Sequence, residues 1–282
     1  MELVDVERGL ESRRIGVGGN LAESRVLLVG AGSLGSMVGL LLAQAGVGHF
    51  VVLDIDRLDA ANLSRHACGL DDLGRSKAQA VAHLLTRRAV SAEANDLDLL
   101  TLSEADLDRL VGSVDLVVAT TDSPAAQFTA NESCVRAGRL GLFAGAYERA
   151  AGGEIIAYRP NSGPCLFCAV GFRVEVAPDV APKERRQAYQ DAQQHRMVAE
   201  PGLGVDLAFL ASATAAIALS LLDPAGSRAG LIPAGCFLLL HGGSAPRESL
   251  ADIFHHPFEA LVARVSRNEA CPVCGWHPTA GI

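Results

Sequence analysis

The chain has 282 residues, 49% of them apolar and 20% charged, and a formal net charge of −8. Such a composition can bury a full core, as one large domain or a domain with a sizeable appendage, and excludes a largely unfolded chain. The acidic balance argues against broad electrostatic binding to nucleic acid but leaves room for a local basic pocket.

The first 24 residues are polar and carry Arg13 and Arg14, so they read as a surface arm. The N-terminus is acidic and lacks an apolar segment, so no signal peptide is visible and a cytoplasmic protein is expected. An apolar run at 26–29 predicts a strand, and 33–45 predicts a helix ended by Gly46 and Gly48. Strand two is expected at 49–53, followed by a polar loop from Arg57 to Gly74 and a helix over 76–88. A strand at 92–97 comes next. Ser103-Glu104 then opens a helix with acids in its first turn, as the helix dipole prefers. Residues 114–119 read as a strand, Ser123-Pro124 starts a helix to about 137, and 141–146 is another short strand.

Strands and helices therefore alternate from about 25 to 146, which predicts a mostly parallel sheet with helices on both faces, a Rossmann-like α/β fold. The pattern then changes to a mixed-strand extension, with strands at 153–158, 236–241 and 260–265. Between them, 172–204 is charged and glutamine-rich, a crossover segment with a helix expected near 182–197. The longest apolar stretch, 205–222, includes Asp206, Ser212, Thr214 and Ser220, and reads as a buried helix and not a membrane span. The domain division that follows is an arm at 1–24, a nucleotide-binding half at 25–150, and a substrate and dimerisation half at 151–282.

Three constellations carry chemistry. Gly30, Gly32 and Gly35 fit G-x-G-x-x-G between a strand and a helix, where a phosphate meets the helix N-terminus. Asp54 ends strand two, where an acid takes the ribose hydroxyls, and Asp56 either serves that site or orients the loop. Asn62, Arg65 and Lys77, with Asp122 at a later strand tip, all follow carboxyl ends of strands in one sheet. Together they could neutralise a triphosphate and hold Mg²⁺. Each alone reads as a surface polar group; the joint arrangement does not. The third set is two C-x-x-C pairs, Cys165/Cys168 and Cys271/Cys274, among seven cysteines. Four thiolates without a secretion signal match a structural, tetrahedral zinc site; a redox pair is the rival reading for either half. His66 reads as a loop residue, and His255-His256 as a surface turn. Cys134 and Cys236 read as packed residues; Cys68 lies near Arg65, where positive charge could activate a thiolate.

These motifs, in this order, resemble the ThiF/MoeB adenylyltransferases, which share their fold with the adenylation domains of ubiquitin-activating enzymes. The similarity runs from about residue 25 to 275. The resemblance implies an ATP- and Mg²⁺-dependent homodimer that adenylates the C-terminal carboxylate of a ubiquitin-like or sulfur-carrier protein ending in Gly-Gly. It implies that Asp54 holds the ribose, that Asn62, Arg65 and Lys77 contact phosphates, and that Asp122 takes the metal. An arginine from the partner's N-terminal arm is also implied, with Arg14 or Arg13 as the candidate. Many relatives carry an acyl-accepting cysteine in the crossover segment; residues 172–204 contain none. Despite the place of Cys68 near Arg65, the simpler expectation is release of the adenylate without a thioester. The alternatives are adenylation of a peptide or small-molecule carboxylate, an NAD-dependent oxidoreductase, and a catalytically silent scaffold.

Overall fold

A computed structural model describes residues 21–170, 202–231, 236–241 (backbone only) and 255–275. Arg13, Arg14 and the helix expected near 182–197 lie outside the described residues.

Five strands form the parallel part of the sheet: β1 (Arg25–Val29), β2 (His49–Leu53), β3 (Ser91–Asn95), β4 (Leu116–Ala119) and β5 (Leu140–Ala146). Three more continue it antiparallel: β6 (Gly152–Tyr158), β7 (Cys236–His241) and β8 (Ala260–Arg264). The order across the sheet is β3-β2-β1-β4-β5-β6-β7-β8. β1 is central, and Leu28 pairs with Val52 on one side and Val118 on the other. A central parallel strand is covered on both faces, which is why Val26 to Val29 is an unbroken apolar run. The connections are α1 (Ser33–Ala45), α2 (Lys77–Thr86), α3 (Glu104–Gly112), α4 (Pro124–Ala137), the short α5 (Leu166–Val170), and the long α6 (Gly204–Leu222).

The pleat splits the strands between two core layers. Val26, Val52, Leu116 and Val118 face a layer made by α1, α2 and α6. Leu27, Val51, Val117 and Phe143 face the other layer, made by α3, α4 and α5. Fully buried side chains such as Leu27, Phe50 and Phe143 each contribute about 1.5–3 kcal/mol relative to exposure. α6 is long and apolar enough to cross a membrane, yet 61% of that stretch is buried inside the protein, as expected of a core helix.

Some boundaries move for local reasons. The third strand starts and ends before the expected 92–97, because Asp96 turns to α2 and Asp98 caps a 3₁₀ turn at Leu99–Thr101. The fourth strand starts at Leu116 and not 114, since Val114 N–H still bonds back to Val111 at the end of α3. Strand order reverses at β1, where the chain runs out to β2 and β3 and then returns to β4. In open α/β sheets a ligand crevice forms at the carboxyl ends of the strands flanking such a point.

Candidate functional site

The glycine turn follows β1. Gly30 adopts φ +93°, a conformation that L side chains avoid, and a Cβ there would lie 2.9 Å from the Thr121 nitrogen. At Gly35 a Cβ would collide with the Gly30 carbonyl and come within 2.5 Å of Thr120 Oγ1. The helix therefore lies flush against the turn, and Thr120 Oγ1 donates to the Gly30 carbonyl at 2.9 Å. Gly32 differs, because the space beside it is open. No side chain caps α1 at Gly32, which leaves its first-turn N–H groups to a ligand or water.

Asp54 closes on the same turn. Its Oδ2 accepts the Ala31 N–H at 2.7 Å and its Oδ1 accepts the Asp56 N–H at 2.8 Å. Burial raises its pKa, opposed by the Asp56 N–H, the Lys77 charge and the Ala31 N–H. Each carboxylate oxygen keeps a second lone pair, so a ribose hydroxyl can still donate to it. Lys77 opens α2, where Ser76 Oγ accepts the Gln79 N–H at 3.3 Å and donates to Asp96. Gln79 also donates to Asp96, at 2.9 Å. This anchoring leaves Lys77 Nζ 3.0 Å from Asp56 Oδ2, with its side chain only 13% exposed. An aspartate thus stands where an anionic ligand would compete for the ammonium.

The loop after β2 folds on itself. Asn62 Oδ1 accepts the Asp59 N–H at 3.1 Å while Asp59 Oδ1 accepts the Ala61 N–H at 2.7 Å, a reciprocal cap. Arg65 Nη1 donates to the Ala61 carbonyl at 3.0 Å. Asp122 lies exposed at the tip of β4, ahead of a helix capped by Ser123 with Pro124 at its first position. Ala31, next to Gly30, is joined to Asp54, Asp56 and Lys77 by a series of contacts at the carboxyl ends of the strands. Asn62 and Arg65 sit on the loop that follows β2, and Asp122 follows Thr121, the residue that abuts Gly30.

Two residues here were not foreseen. Asp96 fixes the start of α2, and its role appears only once β3 is known to end beside Ser76. His66, read from the sequence as a loop residue, is buried at 8% exposure. One ring nitrogen, Nε2, lies 2.8 Å from the Ala31 carbonyl, and the other, Nδ1, accepts the Cys68 N–H at 3.1 Å. Burial is the main cause that lowers its pKa, and Lys77 and Arg65 add to it. The Cys68 thiol is not activated by Arg65. Burial, with the nearby Asp72, pushes it up to about 12.

The cysteine pairs converge on the second core layer. The four sulfurs of Cys165, Cys168, Cys271 and Cys274 lie within 4.8 Å of one another. Cys165 and Cys271 are 3.8 Å apart, Cys168 and Cys274 3.4 Å, and Cys165 and Cys168 4.0 Å. All four are free thiols. Burial pushes the Cys165 thiol up; at Cys271 burial is outweighed by the Cys274 and Val273 N–H groups, which together with the neighbouring thiols draw it down. Asn131 Oδ1 accepts the Leu166 N–H at 2.9 Å beside one pair, and Arg267 Nε donates to the Cys274 carbonyl at 2.8 Å beside the other. Four sulfurs at these separations suit a tetrahedral thiophilic ion, whose edge would be about 3.8 Å for Zn–S bonds of about 2.3 Å.

Comparison with known proteins gives a consistent picture. The ThiF family model matches residues 7–240. Molybdopterin-synthase adenylyltransferase of Escherichia coli is 34% identical over 149 residues, which is 52% of this chain and 59% of that protein. Adenylyltransferase and sulfurtransferase MOCS3 of Dictyostelium discoideum is 31% identical over 164 residues, 57% of this chain and 38% of that protein. Ubiquitin-like modifier-activating enzyme 5 of Gallus gallus is 29% identical over 155 residues, 51% of this chain and 39% of that protein. The chain thus spans less than two thirds of the length of these curated relatives. Among solved structures, E. coli MccB superposes with a TM-score of 0.68 at 20% identity, over 91% of this chain and 66% of that one. That likeness shows the fold alone. The family match covers most of the 282 residues and includes the glycine turn, Asp54, Arg65, Lys77 and Asp122, so the chain belongs to the ThiF family.

Proposed function

We propose that this protein is an adenylyltransferase that activates the C-terminal carboxylate of a ubiquitin-like or sulfur-carrier protein. The carboxylate oxygen attacks the α-phosphorus of ATP, the bond from that phosphorus to the bridging oxygen breaks, and pyrophosphate leaves as the acyl-adenylate forms. Both reactants are anions, so the site must align them and spread developing charge over donors and cations. The uncapped N-terminus of α1 receives phosphate, Asp54 holds the ribose, and Asn62, Arg65 and Lys77 contact the phosphates. Asp56 helps to position Lys77. Asp122 is the magnesium ligand; an exposed carboxylate at a strand tip suits an ion that keeps several waters. Mg²⁺ supplies charge neutralisation and alignment of the phosphates. No general base is required, since the attacking carboxylate is already ionised near pH 7. The four-cysteine cluster holds a structural Zn²⁺, and the working unit is a homodimer in which Arg14 of the partner subunit reaches the phosphates.

The observation that carries this reading is the bonded series Ala31–Asp54–Asp56–Lys77 beside an uncapped helix N-terminus. The test is ATP–pyrophosphate exchange with small proteins ending in Gly-Gly. Exchange that depends on such a protein is expected. Exchange driven by a peptide instead would move the acceptor to a peptide or small-molecule carboxylate. E. coli MccB has been solved with ATP and with N-formylated MccA, so the screen includes formylated peptides. Tight NAD(H) binding with no ATP binding would overturn the proposal in favour of an oxidoreductase.

A further inference from the structure

We propose that His66 is a positioning residue that locks the Ala31–Gly32 peptide in the orientation a nucleotide phosphate requires and fixes the Arg65 loop to it. This rests on the reading of the site as a nucleotide site. The hydrogen bonds settle the form of the ring. The Cys68 N–H donates to Nδ1 at 3.1 Å, so Nδ1 bears no proton and the ring proton is on Nε2. Nε2–H therefore donates to the Ala31 carbonyl at 2.8 Å. Burial holds the ring in this neutral form, with Lys77 and Arg65 acting in the same sense and Asp72 and the Ala31 carbonyl opposing.

Ala31 is consequently gripped at both ends, its N–H by Asp54 at 2.7 Å and its carbonyl by His66. In a trans peptide the carbonyl and the following N–H point in opposite directions. With the Ala31 carbonyl turned to His66, the Gly32 N–H is turned away from it. The residue after the peptide is a glycine with open space at its Cβ position, so rotation of the 31–32 peptide plane meets little steric resistance. The bond from His66 is the restraint. Were the peptide to turn over, a carbonyl oxygen would replace an N–H at the entrance to α1 and repel phosphate.

The same ring sets the loop. His66 directly follows Arg65, and its bond to Cys68 N–H curls the chain back on itself. The Ala67 N–H adds a second tie, donating at 3.2 Å to the buried hydroxyl of Ser36 on α1. Glycine turn, α1 and the Arg65 loop thus move as one unit. His66 need not touch the nucleotide to do this.

The test measures Mg·ATP and adenosine binding by calorimetry for wild type, His66→Ala, His66→Asn and His66→Gln, with thermal melting as the check on folding. Glutamine places a donor near the reach of Nε2, whereas asparagine keeps only a group near the Nδ1 position. His66→Ala and His66→Asn should weaken Mg·ATP binding about tenfold or more, the effect of losing one well-aimed donor to a charged group. Adenosine binding should not change, and His66→Gln should recover most of the lost affinity. In the exchange assay the KM for ATP should rise with little change in kcat. Equal loss of ATP and adenosine binding, or an equal defect in the glutamine and asparagine variants, would assign the ring a packing role and overturn the inference. If His66→Ala does not fold, the asparagine and glutamine pair still decides. A wild-type protein that takes no Mg·ATP sinks the nucleotide reading and this inference with it. A wild type that binds, with all three variants binding equally well, sinks this inference alone.

Discussion

Removing one thiol of the four-cysteine cluster should cost metal and stability together. The perturbation is Cys274→Ser, at a residue whose sulfur lies 3.4 Å from that of Cys168. The four sulfurs lie within 4.8 Å of one another, an arrangement compatible with a bound zinc ion. The ion would tie Cys165 to Cys271 across 106 positions of sequence. In the chain-entropy model a cross-link closing a loop of about 100 residues contributes about 4.7 kcal/mol, taken mainly from the unfolded state. For a domain of this size about 1 kcal/mol moves the melting temperature by about 2–4 °C, so a fall of about 9–19 °C is expected. The assay pairs zinc release, read with a colorimetric chelator after thiol modification, with thermal melting of wild type and variant. Wild type should release one zinc per chain and the variant none. Stripping wild type with a strong chelator should bring its melting temperature down to that of the variant. A zinc-free wild type that melts where the zinc-supplemented protein does would refute the reasoning.

Gly35→Ala should impair both folding and nucleotide binding, because the new Cβ meets the Gly30 carbonyl and Thr120 Oγ1; a loss of about 1–3 kcal/mol is expected from such overpacking, read by urea unfolding. Asp122→Ala should lower pyrophosphate exchange by about 10²-fold or more. Its melting temperature should hardly move, since the residue is exposed; a matching fall in stability would point to a structural role instead. Glu154 accepts from Tyr147 Oη at 3.2 Å, and burial raises its pKa, with the Tyr147 bond opposing. A carboxyl raised in the folded state favours folding below its unfolded pKa and loses that contribution as pH rises through the folded value. Glu154→Gln should therefore gain on wild type in melting temperature as pH climbs from 4 to 7, and a gap that narrows over that range would refute the burial argument.

Much of the local structure around the candidate site was legible because its signals are local. A glycine pattern between an apolar run and a helix needs only three positions, and Gly30 does occupy the left-handed conformation that the pattern implies. Ser76, Ser103 and Ser123 each cap the helix that follows, so the starts of α2, α3 and α4 could be placed within a residue. What was not legible depends on contacts far apart in sequence. His66 meets Ala31 across 35 positions and is exposed or buried according to how the loop lies on α1. Asp96 looks like the end of a strand until the sheet brings it to Ser76 and Gln79. The antiparallel direction of β6, β7 and β8 also escaped the sequence, because alternation reports a strand's faces and not its sense. The convergence of the four cysteines was readable across 106 positions for a different reason: thiol chemistry, and not periodicity, links the two pairs.

The thiols also bear on where an activated acyl group can go. A thioester needs a thiolate within reach of the adenylate. Four of the seven cysteines belong to the cluster on the second core layer. Cys134 is fully buried in α4, and burial pushes its thiol up to about 12. Cys68 is the one thiol on the Arg65 loop, yet burial and Asp72 raise it to about 12 as well. At pH 7 a thiol with that pKa is ionised in only about one molecule in 10⁵. The positive charge of Arg65 and Lys77 does not reverse this, because the Cys68 side chain is packed into the core while Arg65 bonds the Ala61 carbonyl and Lys77 pairs with Asp56. Cys236 begins β7, and residues 172–204 contain no cysteine. On the adenylation reading, burial is the physical reason that Cys68, beside the site, is poorly suited to take the acyl group from the mixed anhydride.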